Sequence, residues 1–162
     1  MKTFWFAFLG FVILSSCNEG MQDNALNTLP EPAVSGYDPI AAKRYGADEI
    51  GMKKYVMAFL KAGPNRDQDS ATAAKIQEAH MANIRRMADE GLLVLAGPFF
   101  SDGELRGIYL FNVTTLDSAK ALTNTDPAVQ SGRLVMDLQE WYGSAALMAV
   151  DSIHRRIAKK SF

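Results

Sequence analysis

The sequence predicts an α+β domain of the ferredoxin-like βαββαβ type, with a four-stranded antiparallel sheet and an added C-terminal helix. The first observation is four short apolar segments, each rich in the residues that favour strands. The second is a pair of helical segments, one between the first two strands and one between the last two. The third is the order of these elements, which matches a split βαβ arrangement with both helices on one face of the sheet.

Length and composition indicate one domain and exclude several classes of protein. The chain has 162 residues, 48% of them hydrophobic, which is enough for one core. Its net charge of −1 argues against nucleic-acid binding, which needs a concentrated basic face. The single cysteine, Cys17, excludes an intrachain disulfide and a thiolate metal site.

Residues 1–17 have the features of a lipoprotein signal peptide. Lys2 is followed by an uncharged apolar run over residues 4–14, which is shorter than the roughly 20 residues of a membrane-spanning helix. The run ends in Leu14-Ser15-Ser16-Cys17, which resembles the bacterial lipobox. We therefore expect lipidation at Cys17 and an exported protein anchored to a membrane of the bacterial cell envelope, on its periplasmic side or at the cell surface. The alternative is an ordinary signal peptide, or a short anchor, with an incidental cysteine.

Residues 18–51 are interpreted as a tether and a lead-in to the domain. Residues 18–36 are mostly polar or small and include Pro30 and Pro32, which is typical of a flexible segment. Residues 39–45 can form one or two helical turns, because Pro39 suits a helix start and Gly46 suits a helix end. The domain itself is expected over residues 52–162.

The first half of the domain is predicted as strand, helix, strand. Its first strand, 54–60, ends before Gly63-Pro64, and its helix, 70–90, is capped by Asp69 or Ser70 and closed by Gly91. The second strand, 92–96, stops at Gly97-Pro98.

The second half is predicted as strand, helix, strand, helix. A turn at Ser101-Asp102-Gly103 leads into the strand 106–113, and Thr115 caps the helix 116–122. Asp126-Pro127 opens a short turn that runs to Ser131. The fourth strand is expected over 134–141 and the last helix over 144–159. The sheet face opposite the two central helices needs a cover. A second copy of the protein is the simplest one, and the C-terminal helix is the alternative.

His80 is the most informative polar residue of the domain. Ala73, Ile76, His80, Ile84 and Met87 recur every three or four residues, so they share one face of the first long helix. That face should pack on the sheet, and a buried imidazole needs a partner. His80 is therefore either a core histidine bonded to a backbone carbonyl or a general base held by a carboxylate; spacing alone favours the former. His154 lies in a basic run and is expected on the surface.

Three further residues are candidates for a site. Asp126 can be a simple turn or capping residue. Arg106 and Arg133 each begin a predicted strand, where they can bind an anionic ligand or serve as edge charges. No metal-ligand cluster, phosphate loop or serine-nucleophile motif is present, so an enzyme built on this sequence would use acid–base chemistry with no metal and no cofactor.

From about Met52 to Leu147 the sequence resembles the YCII-related family of small ferredoxin-like proteins. The segments that carry the resemblance are Lys54-Tyr55-Val56, His80, Glu90-Gly91, Leu95-Ala96-Gly97-Pro98-Phe99, Asp126-Pro127-Ala128-Val129 and Gly132. The lead-in 46–53 and the closing Trp141-Tyr142-Gly143-Ser144 resemble an exported lipoprotein branch of that family.

The resemblance implies a dimeric α/β barrel, hence a homodimer, and a site built from His80 and Asp126. One characterised activity in the family is dehydrochlorination of a chlorinated hydroxyhydroquinone, but a shared fold does not fix a substrate. With this resemblance, a functional His80–Asp126 pair becomes the favoured interpretation. Two functions are then expected: a small acid–base enzyme acting on a cyclic or enolisable molecule, or a non-catalytic envelope lipoprotein that binds a ligand or partner in the same cleft.

Overall fold

The computed structural model describes residues 36–160, so the predicted signal peptide, Cys17 and most of the predicted tether lie outside the described residues. The lead-in contains helix α1 (Pro39–Tyr45), as the sequence predicts, with Asp38 as its N-cap and Gly46 in the left-handed conformation at its end. The domain elements that follow are β1 (Met52–Ala62), α2 (Ser70–Asp89), β2 (Leu93–Pro98), β3 (Leu105–Phe111), α3 (Leu116–Thr123), α4 (Pro127–Gln130), β4 (Leu134–Ser144), a 3-10 turn (Ala145–Ala149) and α5 (Val150–Ile157).

The four strands form one antiparallel sheet in the order β2-β3-β1-β4. In β1, Val56 pairs with Phe111 of β3 on one side and with Glu140 of β4 on the other. The βαββαβ order and the C-terminal helix predicted from the sequence are therefore confirmed.

The core lies between the sheet and helices α2 and α3. Residues of β1 that alternate along the strand, Val56, Ala58 and Leu60, point to this side because successive side chains of a strand face opposite ways. They pack with residues of the other elements: Ile84, Met87, Leu93, Tyr109, Phe111 and Ala119. This packing turns the face of α2 that carries His80 towards the sheet.

The opposite face of the sheet is covered only in part by the C-terminal segment. Leu147 and Met148 pack against a smaller cluster formed by Tyr55, Val94 and Leu110. Further along this face, on β4, Val135 is 47% exposed and Trp141 is 37% exposed.

Most elements differ from their predicted boundaries by one or two residues, and the largest differences are at the end of β4 and the start of the last helix. Strand β4 continues to Ser144, because pairing with β1 extends as far as Met52↔Ser144. The last helix therefore begins later than expected, as a 3-10 turn capped by the Ser144 hydroxyl, and becomes α-helical at Val150. The lead-in is attached to this end of the sheet, where the Tyr142 hydroxyl donates to the Asp48 carboxylate.

Within residues 36–160, no helix combines the length and the apolar character that crossing a membrane would require.

Candidate functional site

His80 and Asp126 meet in the interior, 46 positions apart in the sequence. The imidazole Nδ1 of His80 lies 2.9 Å from Oδ1 and 2.8 Å from Oδ2 of Asp126. His80 is 8% exposed and Asp126 is fully buried. The pair expected from the family resemblance is thus present in hydrogen-bonding geometry, and the backbone-carbonyl partner considered for His80 is replaced by a carboxylate.

Asp126 has a local role as well as a long-range one. Its Oδ1 accepts a 2.9 Å hydrogen bond from the backbone N–H of Ala128, so Asp126 is the N-cap of α4, and Pro127 occupies the first helical position. The capping geometry favours Asp at such a position. Since the cap fixes the side-chain rotamer, it also aims the carboxylate at His80.

The connection between α3 and α4 is fastened to α2 next to the pair. Arg86 of α2 donates to the Asn83 side-chain oxygen at 2.9 Å and to the Thr125 hydroxyl at 3.1 Å. The Thr125 hydroxyl in turn lies 3.2 Å from the Asn83 oxygen and 2.7 Å from the carbonyl of Leu122. These contacts hold residue 125 against the helix that carries His80, and thereby set the position of Asp126.

Tyr109 of β3 is a third member of the cluster, which the sequence analysis did not single out. Its hydroxyl lies 3.3 Å from Nε2 of His80 and 3.4 Å from Oδ2 of Asp126. Burial, followed by the charge and the hydrogen bond of Asp126, raises the pKa of Tyr109 well above its ordinary value of 10. The phenol therefore stays protonated and acts as a donor.

A sequence signal for Tyr109 did exist. Gly107, Tyr109 and Phe111 alternate on the helix-facing side of a predicted strand. A tyrosine on such a face is expected to be buried, and a buried tyrosine hydroxyl needs a hydrogen-bond partner.

The three side chains constrain the proton positions. Both oxygens of Asp126 are close to Nδ1, so we assign the ring proton of neutral His80 to Nδ1 and the lone pair to Nε2. The single proton of the Tyr109 hydroxyl can then be donated to Nε2 or to Asp126. Both of these contacts are long, so a ligand atom can replace either of them at small cost.

A cavity of about 600 Å³ borders this cluster. Both His80 and Tyr109 line it, whereas Asp126 lies behind them. Apolar side chains from α2, the strands and α5 form much of the remaining wall: Leu60, Ile76, Met81, Ile84, Leu93, Val94, Leu95, Leu134 and Val150. His80 thus borders a space large enough for a small molecule, instead of being enclosed in a packed core.

Arg106 and Arg133, the two arginines singled out in the sequence, both line the same cavity as His80. Arg66, from the loop after β1, joins them there and was not anticipated. The C-terminal helix α5 adds Asp151 and His154 to the wall. His154 is exposed, as expected, but it borders the cavity, which its place in a basic run did not indicate.

Among residues 36–160, no group of three or more His, Cys, Asp or Glu side chains is arranged to hold a metal ion.

Comparison with known proteins gives a structural similarity and a family match. The chain resembles a solved structure, the 5-chloro-2-hydroxyhydroquinone dehydrochlorinase from Burkholderia phenoliruptrix AC1100 in complex with 2,5-dihydroxybenzoquinone. The two are 13% identical with a TM-score of 0.41, and the match covers 53% of this chain and 92% of the other. No curated protein matches the sequence. The model of the YCII-related domain matches residues 55–142, which is more than half of the chain. The chain therefore belongs to the YCII-related domain family.

Proposed function

We propose that this protein is a small acid–base enzyme that acts on a cyclic or enolisable small molecule. One observation carries the proposal: a buried histidine, held through Nδ1 by a fully buried carboxylate, lines a cavity of about 600 Å³. We infer that the other ring nitrogen, Nε2, is the one that a ligand in the cavity reaches. A general base benefits from a fixed tautomer and from partial shielding from bulk water, and His80 is only 8% exposed.

The geometry supports a specific division of roles. Substrate entering the cavity displaces the Tyr109 hydroxyl from its 3.3 Å contact with Nε2. Nε2 then takes a proton from a C–H or O–H group of the substrate, and the Asp126 carboxylate stabilises the imidazolium that forms. Tyr109 keeps its own proton, and its hydroxyl can turn towards the oxyanion that develops on the substrate. Return of the proton from Nε2 to another carbon of the substrate completes an isomerisation. In an elimination, the electron pair of the broken C–H bond instead expels a leaving group as an anion, and Nε2 gives its proton to that anion or to water.

A second function is favoured by one feature of the same cluster. Both ring nitrogens of His80 have a contact in the absence of substrate, Nδ1 with Asp126 and Nε2 with Tyr109. A structural histidine at the edge of a binding cavity would look the same. The alternative is therefore a non-catalytic lipoprotein that binds a ligand or partner there without changing it.

Proton exchange in D₂O separates the two functions. A panel of cyclic ketones, lactones and hydroxyquinones is incubated with the full chain, and loss of exchangeable C–H signals is followed by proton NMR. We expect the full chain to accelerate exchange for at least one class, and His80→Gln to slow it by roughly 100- to 10,000-fold, the range typical of a lost general base.

The matched control is Lys75→Gln, which places the same side chain at an exposed position on the same helix. It should exchange the panel like the unaltered chain. Exchange that is equally fast in His80→Gln, or no exchange with any class, would leave ligand binding without turnover as the function.

We also propose that the enzyme is a homodimer anchored at the cell envelope through lipidated Cys17. The anchor is supported by Leu14-Ser15-Ser16-Cys17, and the dimer by the partly uncovered sheet face around Val135 and Trp141. A second sheet packed on that face would bury apolar side chains that are now exposed to water.

A further inference from the structure

Three guanidinium groups line one end of the cavity, and the sheet topology places them there. Because these strands are antiparallel, the end of β1 lies beside the starts of β3 and β4 at one end of the sheet. The pairs Lys61↔Leu105 and Ala62↔Leu134 show this. Arg106 is the second residue of β3, Arg133 immediately precedes β4, and Arg66 lies in the loop that follows β1. All three border the cavity that contains His80.

Arg106 is directed by a β-bulge. Leu60 pairs with Gly107 and Lys61 with Leu105, so Arg106 is the extra residue between two pairs. A bulge commonly re-aims a side chain beside a site. The Nε atom of Arg106 is buried and has no hydrogen-bond partner within residues 36–160. Within the same residues, the carboxylate closest to the Arg106 guanidinium is that of the fully exposed Asp102, which lies 3.9 Å from Nη1.

Arg66 and Arg133 are held by neutral groups. Arg133 donates to the side-chain oxygen of Gln68 at 2.6 Å, and Arg66 donates to the backbone carbonyl of Arg133 at 3.2 Å. No acid of the described residues lies within ion-pairing distance of either guanidinium. Asp151, the acid that lines the cavity, is paired with Arg155 at 2.8 Å, and Asp126, which does not line it, is paired with His80. The end of the cavity that the three arginines line therefore carries an excess of positive charge, although the net charge of the chain is −1.

We propose that the cavity accepts a small organic acid, with its carboxylate bound by Arg106 and Arg133 and its apolar body directed towards His80. A planar guanidinium fork matches a carboxylate, and the unsatisfied Nε of Arg106 gains an acceptor when the acid binds. The three residues from Arg106 to Tyr109 span about 10 Å of strand, so a molecule of one or two rings can reach both ends of the site. The proposal rests on the proposed function, because it names the substrate class of the same cavity.

Equilibrium binding of two matched probes tests the proposal. Benzoate and benzamide have nearly the same shape, but only benzoate is charged at neutral pH. Each is titrated calorimetrically into the full chain in a non-ionic detergent, with a detergent-only blank. We expect benzoate to bind more tightly, and Arg106→Met to weaken benzoate by roughly ten- to a hundredfold while leaving benzamide nearly unchanged. Arg106→Lys should lose part of the benzoate preference, since it keeps the charge but not the fork.

The control Arg156→Met removes one positive charge from an exposed position of α5 that does not line the cavity. It should leave the binding of both probes unchanged. Equal affinities for the two probes, an equal loss of both in Arg106→Met, or no benzoate binding at millimolar concentration would each overturn the proposal. Binding needs no turnover, so a benzoate preference in a protein that fails the D₂O exchange test would refute acid–base catalysis and leave the organic-acid site standing.

Discussion

Removing the Asp126 carboxylate should destabilise the fold far more than removing an ordinary helix cap. Asp126→Ala leaves a buried donor at His80 Nδ1 without its 2.8 Å partner and deprives Ala128 N–H of its 2.9 Å acceptor. An unsatisfied buried donor costs about 1–3 kcal/mol, and loss of an N-cap costs about 1 kcal/mol. The weak 3.4 Å contact with Tyr109 adds little. We therefore expect the free energy of unfolding to fall by about 2–4 kcal/mol, the sum of these two costs.

Urea unfolding of the full chain, followed by near-ultraviolet circular dichroism, measures this change. Thr115→Ala is the matched control, because Thr115 caps α3 through a hydrogen bond to Ser118 N–H at an exposed position. It should cost about 1 kcal/mol. If the two substitutions reduce the free energy of unfolding equally, the contact between carboxylate and imidazole contributes nothing, and our account of the buried pair is wrong.

Three further predictions concern other parts of the chain. Cys17→Ser should release the protein from membranes or leave an unprocessed precursor, and unchanged membrane fractionation and mass of the variant would refute lipidation. Sedimentation equilibrium at matched detergent density should give twice the monomer mass. Val135→Lys, a change on the exposed sheet face, should shift the protein towards the monomer. A concentrated sample of the unaltered protein that is monomeric would contradict the dimer. The pKa of Tyr109 is raised in the folded state, so its contribution to stability is fully present below pH 10 and is lost as the pH rises, because the unfolded chain ionises first. Above pH 10, the urea midpoint should therefore decrease with rising pH less steeply in Tyr109→Phe than in the unaltered chain. Identical slopes of midpoint against pH would exclude this contribution.

Local signals in the sequence were sufficient for the elements and for their order. Pro39 and Gly46 bound α1 as predicted, and Asp69, one of two candidate caps, begins α2 with its carboxylate on Ala71 N–H and Thr72 N–H. The apolar stripe that contains His80 faces the sheet, as its three- and four-residue spacing indicated. These features depend on residues within one or two helical turns of each other, so a short window of sequence contains the information.

The boundaries at the end of β4 and at the start of α5 depended on distant pairing. Residues 142–144 read locally as the approach to a helix, but hydrogen bonding to the start of β1 holds them in the sheet. The Asp126-Pro127 signal, in contrast, was read correctly as the opening of a short turn, which forms α4. Its second role, as the partner of His80, is not visible in that signal.

What the sequence by itself determined is the fold class, the burial of His80 and the capping potential of Asp126. The family resemblance, not the spacing, suggested that the two residues form a pair. The tertiary structure alone decided that Tyr109 joins them, that a bulge directs Arg106 into the cavity, and that Arg66 and α5 help to line it. The physical reason is that these contacts join elements that are far apart in the chain. Their geometry depends on how those elements pack against each other, and the sequence of one segment alone does not contain that information.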